Sequence, residues 1–265
     1  MPTIGIKSSL GSGQDVRRGL NPANPISGTD MAALMRLLGD KAQASIALRS
    51  VNPLMDFVYS SMTEGAKFIE RVPVACAAGC SFCCRSWVDA SPPEVLFAVN
   101  AIPRGQRERA RQAVEAVCNV TTGVAFTERG RKVNPPCPLL ESNLCTVYGE
   151  RPVNCRTTVS TDASLCKATF VEGSKEGFPG LKVWMTLRDS YSTALEGALI
   201  NAGLACQARE WNESLRIALA TPDAEERWLK GKDDFSTAQA SPAPPIFENP
   251  MWRSIYEQAF GALPV

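Results

Sequence analysis

The chain has 265 residues, a formal charge of +1 and a hydrophobic fraction of 45%. That apolar content supports a real core and argues against a disordered chain, while the near-zero charge gives no electrostatic footprint for nucleic acid, an anionic membrane or an acidic partner. Ten cysteines with no histidine exclude imidazole as base or ligand, so a soft-metal site must be built of thiolates, which select zinc, iron–sulfur or a copper(I)-like ion.

In chain order, residues 1–27 form a Gly/Ser/Asn/Pro-rich extended arm without the apolar core of a secretory signal. Thr29 and Asp30 then cap a helix over MAALMRLLGDKAQASIAL, a run of strong helix formers. A second helix starts at Pro53 and carries Leu54, Phe57, Val58 and Met62 on one side. Beyond the first cysteine cluster, Ser91-Pro92-Pro93-Glu94 has the form of a capping box, with Pro in the first helical turn and Glu at the third position. That helix runs through Val95, Leu96 and Val99, and the next begins near Pro103 with Ala110, Val114, Val117 and Cys118 on one face.

Residues 120–180 show little helical periodicity. Helices return near Leu187, with Tyr191, Ala194, Leu195 and Ala198 in register, and near Trp211, with Leu215 and Ala218. TPDAEERWLKG reads as a compact helix with Thr221 as cap, Pro222 first and Gly231 as stop. Residues 236–246 read as an extended linker, followed by a C-terminal segment that docks through Met251, Trp252, Ile255 and Tyr256. The expected organisation is mainly α: an arm at 1–27, a single helical domain at 28–235 with an irregular cysteine-rich metal-binding middle segment, and a linker and docking segment at 236–265. No run of apolar residues reaches membrane-spanning length, and the expected location is the cytoplasm, where clustered thiols stay reduced and more often bind metal than pair.

The cysteines carry the chemistry. CAAGCSFCC places Cys76, Cys80, Cys83 and Cys84 within nine residues. As a helix these would share one face over roughly 100°; with a turn at Gly79 they would still converge. Four small apolar cores in nine positions is the weaker explanation, although free Cys is commonly buried. The second set, Cys137, Cys145 and Cys155, lies in a segment stiffened by Pro135, Pro136, Pro138 and Pro152. Arg85 and Arg156 each follow a cysteine, and either offset thiolate charge at the centre or lie on a solvated surface face. Cys118 and Cys206 read as structural, and Cys166 is left open between the two roles.

The arrangement C-x3-C-x2-C-C, then C-P-L-L, C-x-V-Y and R-P-x-x-C-R resembles the cysteine-cluster proteins known as zinc- or iron-chelating domains (YkgJ-like, CxxCxxCC proteins). The matching positions are Cys76, Cys80, Cys83, Cys84, Cys137, Cys145, Cys155 and Arg156, with Tyr148, Arg151 and Pro152 between them, and the resemblance covers about residues 70–160. It implies a metal centre and no particular reaction. Flagellin lysine methylases look like related members and are linked to an iron–sulfur cluster, an analogy at the level of fold.

Seven or eight thiolates exceed one structural zinc site and suit one [4Fe–4S] cluster with spare cysteines, two clusters, or two zinc ions. Cys76-x3-Cys80-Ser81-Phe82-Cys83 also fits the C-x3-C-x-aromatic-C pattern of radical S-adenosylmethionine enzymes. Those enzymes resemble partial (β/α) barrels, whereas capped helices follow here and Cys84 exceeds the pattern. The functions carried forward are an iron–sulfur enzyme in redox or group-transfer chemistry, a non-catalytic metal protein, and a zinc-stabilised interaction domain. Asp89, Glu94 and Asp162 are the acids near the centre, each better explained by capping or solvation than by catalysis.

Overall fold

The computed structural model describes residues 28–66, 73–129, 132–174, 177–178, 180–243, 245 and 248–263. The arm expected at 1–27 lies outside them.

Helix α1 (Gly28–Leu48) presents Met31, Met35, Leu38 and Ala42 to the core, a spacing that keeps one helical stripe buried. It packs against α2 (Asn52–Ala66), α7 (Lys182–Asn201) and α10 (Pro250–Phe260). The α1–α2 turn is tight: Arg49 takes a left-handed φ of 52°, and the buried Ser45 hydroxyl accepts the Leu54 amide at 3.2 Å, capping α2 from the preceding helix. α1 and α7 approach closely at Gly197, where a Cβ would stand 3.0 Å from the Met35 sulfur. From α7, Leu187, Tyr191, Ala194, Leu195 and Ala198 complete this layer.

A second group of helices holds the cysteine segment. α3 (Pro92–Ala101) and α4 (Arg107–Thr121) both pack on α8 (Trp211–Ala220), and α9 (Ala224–Leu229) closes against α3. Trp228 of α9 is fully buried, and its indole donates to the Ala205 carbonyl at 2.9 Å. Two small antiparallel pairs complete the regular structure: β1 (Asp89–Ala90) with β4 (Arg209–Glu210), and β2 (Leu140–Glu141) with β3 (Leu144–Cys145). Positive φ at Ser142 and Asn143 gives the β2–β3 turn the backbone that a tight two-residue hairpin needs.

The structure is mainly α, as the sequence implies, with three differences of detail. Two short helices, α5 (Val153–Thr157) and α6 (Ala163–Phe170), interrupt the segment expected to be irregular. α9 begins at Ala224, and Thr221–Asp223 form the turn before it, with the Ala224 amide bonded to the Thr221 carbonyl at 3.1 Å. The stretch expected as a linker packs instead. Ala240 bridges Arg209, and the Glu210 amide donates to the Gln239 carbonyl at 2.9 Å, so this stretch lies along β4 and satisfies its exposed edge. In the C-terminal helix, Ile255 and Tyr256 are buried as expected, while Met251 faces solvent. No helix among the described residues is long and apolar enough to cross a membrane.

Candidate metal centre

Four pieces of chain bring the thiols together. The first cluster is a turn and not an α-helix. Gly79 adopts φ +85°, the Cys80 amide bonds back to the Ala77 carbonyl at 3.0 Å, and Phe82–Arg85 form a single 3-10 turn. The Ser86 hydroxyl closes that turn on the Cys83 carbonyl at 2.8 Å. The second piece is tied to the first by the Cys137 amide, which donates to the Cys84 carbonyl at 2.7 Å. From there the β2–β3 hairpin carries Cys145. α5, started by Pro152, carries Cys155, and α6, which packs on the Phe82–Arg85 turn, carries Cys166. All ten cysteines are free thiols.

The thiols feel one another. Burial pushes Cys155 well above the usual thiol range, and nearby Cys137, Cys83 and Cys145 push it further. Cys83 is raised first by the hydrogen bond it shares with Cys84 and then by burial. Burial pushes Cys137 up to about 11, opposed by donors to its sulfur from the Leu139 amide and the Trp211 indole. Cys145 is raised by burial and opposed by the Val147 amide. Cys76 is likewise raised by burial, against a bond from the Ser160 amide, with Cys83 and Cys80 as neighbours. Cys166, only 6% exposed, is raised by burial and opposed by the Ser160 hydroxyl, with Cys76, Cys83 and Cys80 beside it. Cys83 thus influences Cys76 and Cys166 on one side and Cys155 on the other.

Thiols that already accept N–H and O–H donors would form, once ionised, a donor set in need of positive charge, which a soft metal supplies. The residues fit such a group in chemistry. Among the described residues, however, no three Cys, Asp or Glu side chains are gathered into a finished coordination shell.

The guanidinium among the thiols is Arg151, which favours the charged form of Cys76, Cys83, Cys145 and Cys155. It lies 3.8 Å over the Tyr148 ring, and its Nε is buried without a hydrogen-bond partner among the described residues. The two arginines singled out from sequence point elsewhere. Arg85 donates to the Asn134 carbonyl at 3.0 Å. Arg156 stacks 3.8 Å over the Tyr59 ring and donates to the carbonyls of Arg151 and Gly149. Arg156 thereby holds the loop that carries Arg151. Side-chain direction separates the three, and spacing alone did not encode it.

Cys118 is buried between α4 and α8 with Glu210, Arg216 and Glu213 as its charged neighbours, and Cys206 stands near Glu196 and Asp233. Burial pushes both thiols up to about 12. The three acids have structural partners. Asp162 caps α6 through the Ser164 and Leu165 amides, Asp89 accepts the Trp87 indole, and Glu94 holds both Ser91 and the first amide of α5.

Residues 75–176 match the family model described as "CxxCxxCC: Putative zinc- or iron-chelating domain". This segment is similar to the CxxCxxCC domain. The match takes in every cysteine from Cys76 to Cys166 and ends at residue 176. It supports metal binding as the property of this segment and leaves the metal, zinc or iron, undivided. No curated protein and no solved structure matches the chain.

Proposed function

We propose that the CxxCxxCC domain holds an iron–sulfur centre ligated by Cys76, Cys80, Cys83, Cys84, Cys137, Cys145 and Cys155, with Cys166 as an eighth donor. The observation that carries this reading is the number of thiols sharing one neighbourhood. One structural zinc takes four ligands, and a [4Fe–4S] cluster takes four thiolates. Eight thiols in this segment suit two such groups or one cluster with spare thiols.

The donors from Leu139, Val147 and Ser160, together with Arg151, support the same reading. Hydrogen bonds and positive charge at sulfur stabilise an anionic thiolate centre and tune it. When bound, an iron–sulfur group would supply one-electron chemistry. The chain's own contribution is to enclose the sulfurs, orient them through the amide donors, and set Arg151 against their charge.

The deciding experiment is an absorption spectrum with iron, zinc and acid-labile sulfide analysis on protein purified without oxygen. A brown protein with iron and sulfide is expected. Stoichiometric zinc in a colourless protein would replace this reading with a zinc-stabilised structural domain, and protein with neither metal and ten titratable thiols would remove both.

The role of Arg151 can be tested apart from the metal's identity. Arg151→Gln should weaken metal retention by roughly tenfold or more, the usual size of an effect just outside the ligand shell. Arg85→Gln should leave it within about twofold, because that side chain is spent on the Asn134 carbonyl. Competition with a chromophoric chelator measures both, and the opposite ranking would return the charge-offsetting role to Arg85.

A further inference from the structure

A cleft of about 860 Å³ opens between β1, α5, α7 and the stretch around Ser241. Its size falls in the range of small-molecule sites, which combine a largely apolar wall with a few placed polar or charged groups. Here the wall is aromatic. Trp87 and Phe126 meet edge-on at 5.8 Å, Phe170 and Phe178 stand 5.4 Å apart, and Trp252 lines the same cleft. Cys206 is the one cysteine among its described lining residues, so the cleft uses none of the clustered thiols.

The charge on this wall is negative. Asp89, Glu94, Asp189 and Glu196 line the cleft against two guanidiniums, Arg129 and Arg188. Arg129 adds little to the balance, because it is buried against Glu210 at 3.5 Å, and that carboxylate cancels its charge. Arg188 pairs with Asp189 at 2.9 Å, and its charge also reaches Asp89, so one cation answers two acids. A cleft lined in excess by one sign of charge concentrates ligands of the other sign. The carboxylates, moreover, already accept donors from the protein. Asp89 accepts the Trp87 indole, Glu94 accepts Ser91 and the Val153 amide, and Asp189 accepts Arg188. They offer a ligand field more than vacant lone pairs. A primary ammonium brings three N–H donors that need acceptors once they leave water. A quaternary ammonium brings none, and its methyl groups pack directly on aromatic faces.

We propose that this cleft binds an organic cation of the quaternary ammonium class, its methyl groups against the aromatic wall and its charge balanced by the surrounding acids. The rings supply contact and cation–π attraction, and the excess of carboxylates supplies the field. The site does not depend on which metal the clustered thiols hold.

The test is calorimetric titration of the full chain, as purified, with three probes: (4-hydroxyphenyl)trimethylammonium, its neutral isostere 4-tert-butylphenol, and 4-hydroxybenzylammonium, which carries N–H donors. Saturable binding of the quaternary ion is expected, about tenfold tighter than either of the others. Added salt should narrow its lead over the phenol, because the acids act through charge. Asp189→Asn removes one charge at a side chain that is more than half exposed, so the fold is not at stake. It should weaken the quaternary ion and leave the phenol unchanged, whereas Arg188→Gln should strengthen the quaternary ion. Trp252→Leu should weaken the quaternary ion more than the phenol. No saturable binding of the quaternary ion, equal binding of the phenol, or tighter binding of the primary ammonium would each overturn the proposal.

Discussion

Cys155→Ser is expected to lower the bound metal by at least about tenfold, whereas Cys118→Ala leaves the metal content unchanged. The first expectation follows from position. Cys155, on α5, has Cys137, Cys83 and Cys145 as its neighbouring thiols. Changing a group just outside a metal's ligand shell already costs ten- to a hundredfold in affinity, so loss of a proposed ligand should cost no less. Because metal binding to a thiolate set is also folding free energy, the same variant should lose thermal stability, and chelation of the unaltered protein should reproduce that loss.

Cys118 is fully buried but sits on the apolar face of α4 against α8, among Glu210, Glu213 and Arg216. Its truncation removes one small buried side chain, for about 1 kcal/mol of stability and no metal. Metal analysis and thermal melts on both variants settle the matter. Equal metal loss in the two would break the assignment of ligands by neighbourhood.

Glu94→Ala is expected to destabilise the protein by about 3–5 kcal/mol, the range of changes that strand several buried polar groups at once. One carboxylate oxygen accepts the Ser91 amide at 2.7 Å and its hydroxyl at 2.6 Å, completing the capping box of α3. The other accepts the Val153 amide at 2.8 Å and so fixes the start of α5, two residues before Cys155. Glu94 is 5% exposed, so water cannot replace it for these donors. Glu94→Gln keeps one acceptor and should fall between the two. Urea unfolding at fixed metal content measures the loss, and a midpoint unchanged in Glu94→Ala would show that the network adds nothing.

Much of this was legible beforehand, for reasons that can be named. α1, α2, α3, α4, α7 and α8 are long enough for helical periodicity to show, and Ser91-Pro92-Pro93-Glu94 announces its capping box in four letters. α5 and α6 have five and eight residues, too few for a helical stripe to show. The available signal was Asp162, a good cap placed just before Ala163.

The packed stretch around Ala240 was hidden for another reason. Its composition is that of a linker, and its partner, β4, is a polar two-residue strand some thirty positions earlier. Composition describes a segment by itself, whereas pairing depends on what lies beside it. The cysteines were visible by count and by the absence of histidine. Which of them adjoin Cys83, and that Arg151 rather than its neighbours faces them, depends on turns and side-chain directions that no spacing records.

The nesting of the thiol-bearing segment among helices from both ends of the chain has a thermodynamic consequence. α3, within the matched span, rests on α8 and α9, and α5 rests on α7, all of which lie beyond residue 176. The sulfurs and the C-terminal helices therefore share one stability. Whatever occupies the thiols must raise the cost of opening α8, and whatever loosens α8 must weaken the hold on that occupant, by equal amounts. Amide exchange in α8 would thus report the state of sulfurs with which most of that helix has no contact.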